Sequence, residues 1–157
     1  MIIRSSPKSR SRGFSMIEVL IALVILAVGL LGVALLQTLS LRYSQSANYR
    51  TKAVNLAYDW LDQARANRAQ FDRYASVSAA DFSSVPLSGC GAPPSGFLTP
   101  DENRTRWICD VKSELGEEAF ATVTSPASRT VRVVLNWADN NGVVGTGNGT
   151  VTLESQL

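Results

Sequence analysis

The chain has 157 residues, enough for one domain with a modest core but too few for two cooperating globular domains. Its 15 basic and 13 acidic residues give a net charge of +2, and four basic residues precede residue 13 with no acid among them: Arg4, Lys8, Arg10 and Arg12. The sequence contains no histidine, the commonest general base and zinc ligand, so its composition argues against an enzyme and against a zinc site.

An uninterrupted apolar run follows the basic segment. Residues 19–36 are 18 consecutive apolar or glycine residues, which would form about 27 Å of helix, close to the hydrocarbon thickness of a bilayer. The run is longer than the apolar part of a signal peptide and does not end in an A-x-A-like cleavage site, so we expect it to stay in the protein. By the positive-inside rule, residues 1–12 remain in the cytoplasm and the rest lies outside it.

The helical pattern continues beyond the apolar run. Apolar residues recur at spacings of three and four across residues 53–64, which predicts an amphipathic helix with one core-facing stripe. Because no proline interrupts the segment, one helix of about 50 residues is predicted. Residues 14–36 would be its transmembrane and assembly half, and residues 37–68 its amphipathic half.

The remaining residues, 69–157, are predicted to be an outer loop followed by an antiparallel β region. The loop reaches to about residue 100 and is rich in Ser, Ala, Gly and Pro. Beyond it the apolar period changes to two, which predicts strands at residues 107–111, 120–123, 131–137 and 150–153. We therefore expect an α+β protein whose small antiparallel sheet packs on the amphipathic half of the helix.

The two cysteines, Cys90 and Cys109, lie in the part of the chain expected outside the cytoplasm. Oxidising conditions there let a disulfide persist. A bridge between them would close a loop of about 20 residues and contribute about 3 kcal/mol of stability. Their spacing fits no CxxC metal or redox motif.

The sequence from Arg12 to Glu18, RGFSMIE, combines the end of a basic leader, a glycine, an aromatic residue and a glutamate four positions later. It resembles the N-terminal signature of type IV pilins and pseudopilins. The resemblance implies the type IV pilin fold, with residues 1–13 as the leader. It also implies cleavage between Gly13 and Phe14 by a prepilin peptidase, N-methylation of the Phe14 amine, and anchoring in the bacterial inner membrane with the outer domain in the periplasm.

Glu18 interrupts the apolar segment near its start. A carboxylate in a transmembrane helix costs about 2.5–3.5 kcal/mol, so it needs a partner. The resemblance implies that this partner is the N-terminal amine of a neighbouring subunit, and Phe14 and Glu18 would share one helix face at i and i+4. The alternative is a capping box between Ser15 and Glu18, which needs no second subunit but explains neither Gly13 nor the leader.

Residues 50–67, together with the predicted strand ending Asn136-Trp137-Ala138-Asp139, resemble the minor pilins of the PilV family of type IV pilus modification proteins. The resemblance implies a low-abundance subunit that joins other minor pilins and the major pilin in a tip or priming complex, with a tip adhesin as a further candidate partner. The rival is the minor pseudopilin GspI of type II secretion, which shares the leader, the glutamate and a small α+β domain. The extended loop with Cys90 and Cys109 favours the pilus.

Other functions have less support in the sequence. Four arginines could form a basic patch for DNA (Arg104, Arg106, Arg129 and Arg132), but the 11 basic and 13 acidic residues from Phe14 onward leave that region slightly acidic. Asp59 and Asp62 are three apart on a predicted helix, a spacing typical of solvated surface. We therefore expect no nucleic-acid partner, catalytic residue, metal ion or cofactor.

Overall fold

The computed structural model describes residues 13–91, 96, 98–139 and 147–157. The chain divides into two compact units, the first 40 residues and residues 41–157. Most of the predicted basic leader, residues 1–12, lies outside the described residues, so its prediction stays untested by the fold.

The first element is helix α1, Met16–Ala66, which has 51 residues and confirms the prediction of a single helix of about 50. In the first unit, every residue of α1 is exposed. The most apolar 18-residue window of the helix has a mean hydropathy of 3.2 and is 0% buried. Among the described residues, α1 is the one helix long and apolar enough to cross a membrane.

In the second unit, α1 buries the stripe that the sequence predicts, namely Ala53, Ala57, Trp60, Leu61 and Ala64. Small alanines let neighbouring elements approach the helix closely, and Trp60 fills the space between them. The centroid of the Trp60 ring lies 4.5 Å from that of Trp107 and 5.4 Å from that of Tyr74. Its Nε1 donates to the Tyr74 carbonyl at 3.1 Å, so the buried indole leaves no polar atom unpaired.

The segment after α1 contains short helices where the sequence predicted only loop. A 3₁₀ turn, Arg68–Gln70, leads into α2, Phe71–Tyr74, then α3, Ala79–Ser84, and a second 3₁₀ turn, Leu87–Gly89. Elements of three to six residues are too short to display a helical period, which is why the pattern did not reveal them. They bring Tyr74 and Phe82 into the core.

Helix α4, Pro100–Leu115, replaces the strand that was predicted at residues 107–111, and that prediction was wrong. The alternation of Trp107, Cys109 and Val111 was compatible with a strand, but the buried residues of α4 follow helical spacing: Trp107, Ile108, Val111, Lys112 and Leu115. Thr99 caps the helix and Pro100 occupies its first position, where the missing N–H costs nothing.

Within the described residues, three antiparallel strands follow α4: β1, Phe120–Thr124; β2, Thr130–Ala138; and β3, Asn148–Gln156. They form one sheet in the order β1-β2-β3, close to the positions predicted for the last three strands. Alternate residues of β1 and β2 enter the same core as the α1 stripe and α4: Ala121, Val123, Val131, Val133, Leu135 and Trp137. A long N-terminal helix with a small antiparallel sheet is the α+β architecture of the pilin fold, as predicted.

Candidate functional site

The start of α1 carries the residues to which the sequence assigned a role. Gly13, Phe14 and Ser15 are non-helical and α1 begins at Met16. The Ser15 carbonyl accepts hydrogen bonds from the backbone N–H groups of Glu18, at 3.1 Å, and Val19, at 3.3 Å. In the uncleaved chain Phe14 therefore precedes the helix, so the predicted i, i+4 helical relation between Phe14 and Glu18 is not formed.

The alternative interpretation of Glu18 as half of a capping box is only partly realised. Ser15 Oγ accepts a hydrogen bond from the backbone N–H of Ile17 at 3.4 Å. The reciprocal bond, from the Ser15 N–H to the Glu18 carboxylate, is absent, and within the described residues this carboxylate has no hydrogen bond or ion pair. The carboxylate remains exposed beside the positive end of the helix dipole, where a negative charge is favoured.

Gly13 and Phe14 are open to another molecule. An ideal Cβ at Gly13 would meet no atom within 4 Å, and the backbone there is not in the left-handed region. Nothing in the described chain therefore demands glycine at this position. Phe14 is 83% exposed, a high value for an aromatic side chain with no polar atom.

The apolar surface of α1 continues from this point through the first unit. Large aliphatic side chains cover the helix on all sides, with Ile21, Val24 and Leu31 more than half exposed. A helix that is apolar all round requires a membrane or other helices around it. Gly29 and Gly32 also meet no atom within 4 Å of an added Cβ, so their small size serves no contact within the described chain.

The predicted disulfide between Cys90 and Cys109 is present, with 5.5 Å between the Cα atoms. It joins the segment after α3 to the middle of α4. One turn further along α4, the Lys112 ammonium donates to the Val85 carbonyl at 2.7 Å and ties down the same segment. These two links hold a stretch that has little regular structure of its own.

A groove of about 410 Å³ lies between the second half of α1 and α4, lined by Lys52, Asn55, Leu56, Asp59, Asp110 and Glu114. Lys52 Nζ is 2.7 Å from Glu114 Oε2, which neutralises one of its acids. Burial raises the pKa of Asp110, with Arg106 opposing the effect and Asp59 and Glu114 adding to it. No three potential ligands of the described residues are placed to hold a metal ion.

The other residues considered from the sequence are used in local contacts. Asp59 accepts from Gln63 and Asp62 pairs with Arg65, both on the exposed surface of α1. Among the four candidate DNA-binding arginines, Arg104 donates to the carbonyl of Arg73 at 2.8 Å and Arg132 pairs with Glu154 at 2.8 Å. Trp107 and Trp137 are 0% and 2% exposed, so both are core residues.

Two helices that were not predicted begin at residues with recognisable capping signals. At α4, the sequence Thr99-Pro100-Asp101-Glu102 contains a capping pattern with proline at the first helical position. At α3, the Ser78 N–H donates to Asp81 Oδ2 at 2.7 Å, from a Ser-x-x-Asp pattern. Either signal would have placed a helix where loop or strand was predicted.

Comparison with known families agrees with the assignment of this N-terminal segment. Comparison with curated proteins and with solved structures gives no match. Residues 8–34 match the family model of the prokaryotic N-terminal methylation motif, a stretch that contains Gly13, Phe14, Glu18 and most of the apolar run. The chain thus carries, at the start of a long exposed apolar helix, the prepilin signature of type IV pilin-like proteins.

Proposed function

We propose that the protein is a minor type IV pilin, a structural subunit of the tip or priming complex that initiates pilus assembly. The single observation that carries the proposal is the methylation motif at residues 8–34, which overlaps an apolar stretch of α1 that is 0% buried among the described residues. The resemblance of residues 50–67 to PilV-type minor pilins supports the finer assignment. The role is structural, and no step of catalysis is assigned to any residue.

Maturation would begin at the peptide bond between Gly13 and Phe14. A prepilin peptidase at the cytoplasmic face would cleave this bond and leave Phe14 as the new N-terminus, which is then N-methylated. The open space around Gly13 supports this step, because a peptidase must bring its own groups against the scissile backbone. The apolar helix would remain with the mature protein and hold it in the inner membrane, with the outer domain in the periplasm.

Assembly would depend on Glu18. In hydrocarbon or in a filament core an unpaired carboxylate is costly, and the described chain offers this one no partner. The ammonium group of Phe14 on a neighbouring subunit supplies the opposite charge. This pair would select correctly processed subunits and set their register, so that the helix acts as the interface with other minor pilins and the major pilin.

Mass spectrometry of the protein from native membranes and sheared pili tests the processing step. We expect an N-terminus at Phe14, heavier than the unmodified residue by one methyl group. A mature N-terminus at any other residue would contradict the proposal. The matched control is Gly13→Val, which should leave the leader attached, because a branched side chain blocks approach to the scissile bond.

A deletion strain tests the place of the subunit in the pilus. We expect few or no surface pili by electron microscopy, restored by the wild-type gene, and labelling of the wild-type protein at one end of the filament. Normal piliation with a loss of secreted proteins would identify a GspI-like pseudopilin of type II secretion instead. Copurification of a tip adhesin with the labelled end would extend the proposal to adhesion.

A further inference from the structure

The two edge strands of the β-sheet, β1 and β3, differ in the contacts that cover them. At the β1 edge, Val77 and Val123 exchange two backbone hydrogen bonds of 3.2 and 2.8 Å. Helix α3 lies against the same strand, and Ala121 is fully buried. At the β3 edge, no other strand of the described residues is paired.

The register identifies the backbone groups that the β3 edge presents. Gly147 accepts from Asp139, and Leu157 donates to Arg129, both at 2.7 Å, at the two ends of the β2–β3 ladder. Hydrogen bonding alternates along an antiparallel strand, so the odd-numbered residues of β3 face β2. The N–H and C=O groups of the even-numbered residues point away from the sheet, and all five residues are exposed: Asn148, Thr150, Thr152, Glu154 and Gln156.

This edge lacks the devices that keep sheet edges from pairing with other chains. Strand β3 has nine residues without proline or lysine, and its register with β2 is unbroken, so no bulge twists it away. Its single charge, Glu154, is held by Arg132 at 2.8 Å. Long, unprotected edges of this kind are templates for a further strand.

The core beneath β3 is also incompletely covered. Val133 and Leu135 on β2 are fully buried, whereas Val151 and Leu153 beside them on β3 pack on the same core but are only half-buried. A strand added at this edge would place its own core-facing side chains over them. The occupant must therefore be an extended segment with apolar residues at alternate positions.

We infer that the occupant is β3 of a second copy of this chain, paired antiparallel about a two-fold axis at Thr152. In that register Thr150 lies opposite the partner's Glu154, and Val151 lies opposite the partner's Leu153. Thr152 points outward, so the two Thr152 residues form a hydrogen-bonded pair. The Val151–Leu153 pair then falls at a non-hydrogen-bonded position, where opposing side chains approach most closely.

The edge is self-complementary, as a two-fold interface requires. On the core side, Val151 of one copy lies opposite an apolar side chain of the other. On the outer side, Glu154, the only acid of β3, lies opposite a threonine, so the interface brings no like charges together. The product is one continuous six-stranded sheet formed by two three-stranded sheets. The interface lies within the outer domain, and of the proposed function it uses only the anchoring of both copies in one membrane.

The pairing should be weak in dilute solution. Two strands buried along one edge cover much less than the roughly 1,600 Å² of a standard interface. Anchoring both copies in one membrane raises their effective concentration and favours the pair. The full chain in its membrane is therefore the correct sample.

The first test introduces cysteine at the two-fold axis. Cells expressing full-length Thr152→Cys are analysed on non-reducing gels and by mass spectrometry. We expect a homodimer joined through the introduced thiols, because hydrogen-bonded antiparallel partners have Cα atoms about 5.5 Å apart, within disulfide range. The matched control is Thr150→Cys, whose two thiols would be separated by four residues along the strands, about 13 Å, and cannot join.

A second pair of variants tests the register without cysteine at the axis. Coexpressed copies carrying Thr150→Cys and Glu154→Cys, with different tags, should crosslink to each other. Adding Thr152→Pro to both copies should lower this product at least tenfold, because proline removes an outward N–H and leaves the β2–β3 ladder intact. Resistance of the outer domain to protease confirms that each variant is folded.

Three results would overturn the inference: no homodimer from either design, equal crosslinking by Thr150→Cys alone, or a crosslinked product containing a different protein. The last result would assign the edge to another subunit. The N-terminal mass of the same samples reports processing at Phe14 independently. A failed crosslink with a methylated Phe14 therefore removes the dimer and leaves the proposed function standing.

Discussion

The starts of α1 and α4 carry the same four-residue pattern and use it differently. At α4 the Thr99 N–H donates to Glu102 Oε2 at 2.7 Å and the Glu102 N–H donates to Thr99 Oγ1 at 3.3 Å, which closes the capping box. At α1 Ser15 Oγ accepts from Ile17 at 3.4 Å, and the Glu18 carboxylate is left without a hydrogen bond in the described residues. The Glu102 carboxylate is hydrogen-bonded within its own helix, whereas the Glu18 carboxylate can bind a group of another molecule.

A capping pattern must therefore be interpreted together with the residues that follow it. Glu102 lies in the first turn of a helix with a polar face towards water, where its carboxylate closes the capping box. Glu18 precedes an apolar run, where a carboxylate without a partner is penalised once water is removed. The same motif therefore stabilises a helix in one context and, we propose, selects a neighbouring subunit in the other.

Alanine substitutions of Glu18 and Glu102 should differ strongly in their effect on filament assembly. Glu18→Ala should leave membrane insertion unchanged but lower incorporation into filaments at least a hundredfold, because removing one partner of a buried ion pair costs about 3–5 kcal/mol. Quantitative immunoblots of sheared filaments and membranes measure both quantities. Glu102→Ala, the matched control, should assemble normally; a comparable loss in that variant would show that the two acids are equivalent.

The next effect concerns the middle of α4, which the Cys90–Cys109 disulfide anchors independently of the cap. Replacing both cysteines with serine should lower the free energy of unfolding by about 3 kcal/mol, because the crosslink restricts the unfolded chain. Urea unfolding followed by tryptophan fluorescence measures this, since Trp60 and Trp107 are buried. A loss below about 1 kcal/mol would mean that the Lys112 link and the cap suffice.

A smaller loss of stability is expected when the capping box of α4 is opened. Thr99→Ala should lower the free energy of unfolding by about 1 kcal/mol. Its matched control, Ser15→Ala, should not change unfolding of the outer domain. The hydrogen bonds from Thr99 hold the pKa of Glu102 below its ordinary value of 4.5. The wild type should therefore lose stability as pH falls below that value, and Thr99→Ala should lose less; identical acid profiles would contradict the assigned box.

The sequence predicted α1 and the sheet well because both have many residues in a regular pattern. Eighteen apolar residues in succession and the stripe from Ala53 to Ala64 leave few alternatives to a long helix. In strand β2 the apolar residues Val131, Val133, Leu135 and Trp137 recur at every second position, and all four are buried. The motif at Gly13, Phe14 and Glu18 was identified in the same way, from residues that are contiguous in the chain.

The failure at α4 has a specific cause. The apolar residues at every second position from Trp107 to Val111 fit a strand, whereas the burial of Ile108 and Leu115 as well follows the helical period. On the same buried face of α4, Trp107 packs against Trp60 and Phe82, which lie far away in the sequence. The sequence could not predict the unpaired β3 edge either, because that edge depends on which strands become neighbours in the sheet.

The smallest predicted effect concerns Asp110, a second acid of α4 in an environment opposite to that of Glu102. Burial raises the pKa of Asp110 above its ordinary value of 3.8, Asp59 and Glu114 add to the shift, and Arg106 opposes it. The fold therefore favours the protonated form, and this contribution to stability is lost as pH rises through the folded pKa. Asp110→Asn should stabilise the outer domain at pH 7, by less than about 1 kcal/mol because the carboxyl is only partly buried and solvent screens its charge. Urea unfolding at pH 7 and pH 3 should show the gain disappearing in acid; a variant less stable than wild type at pH 7 would instead mean that the charged carboxylate stabilises the helix through its attraction to the Arg106 charge.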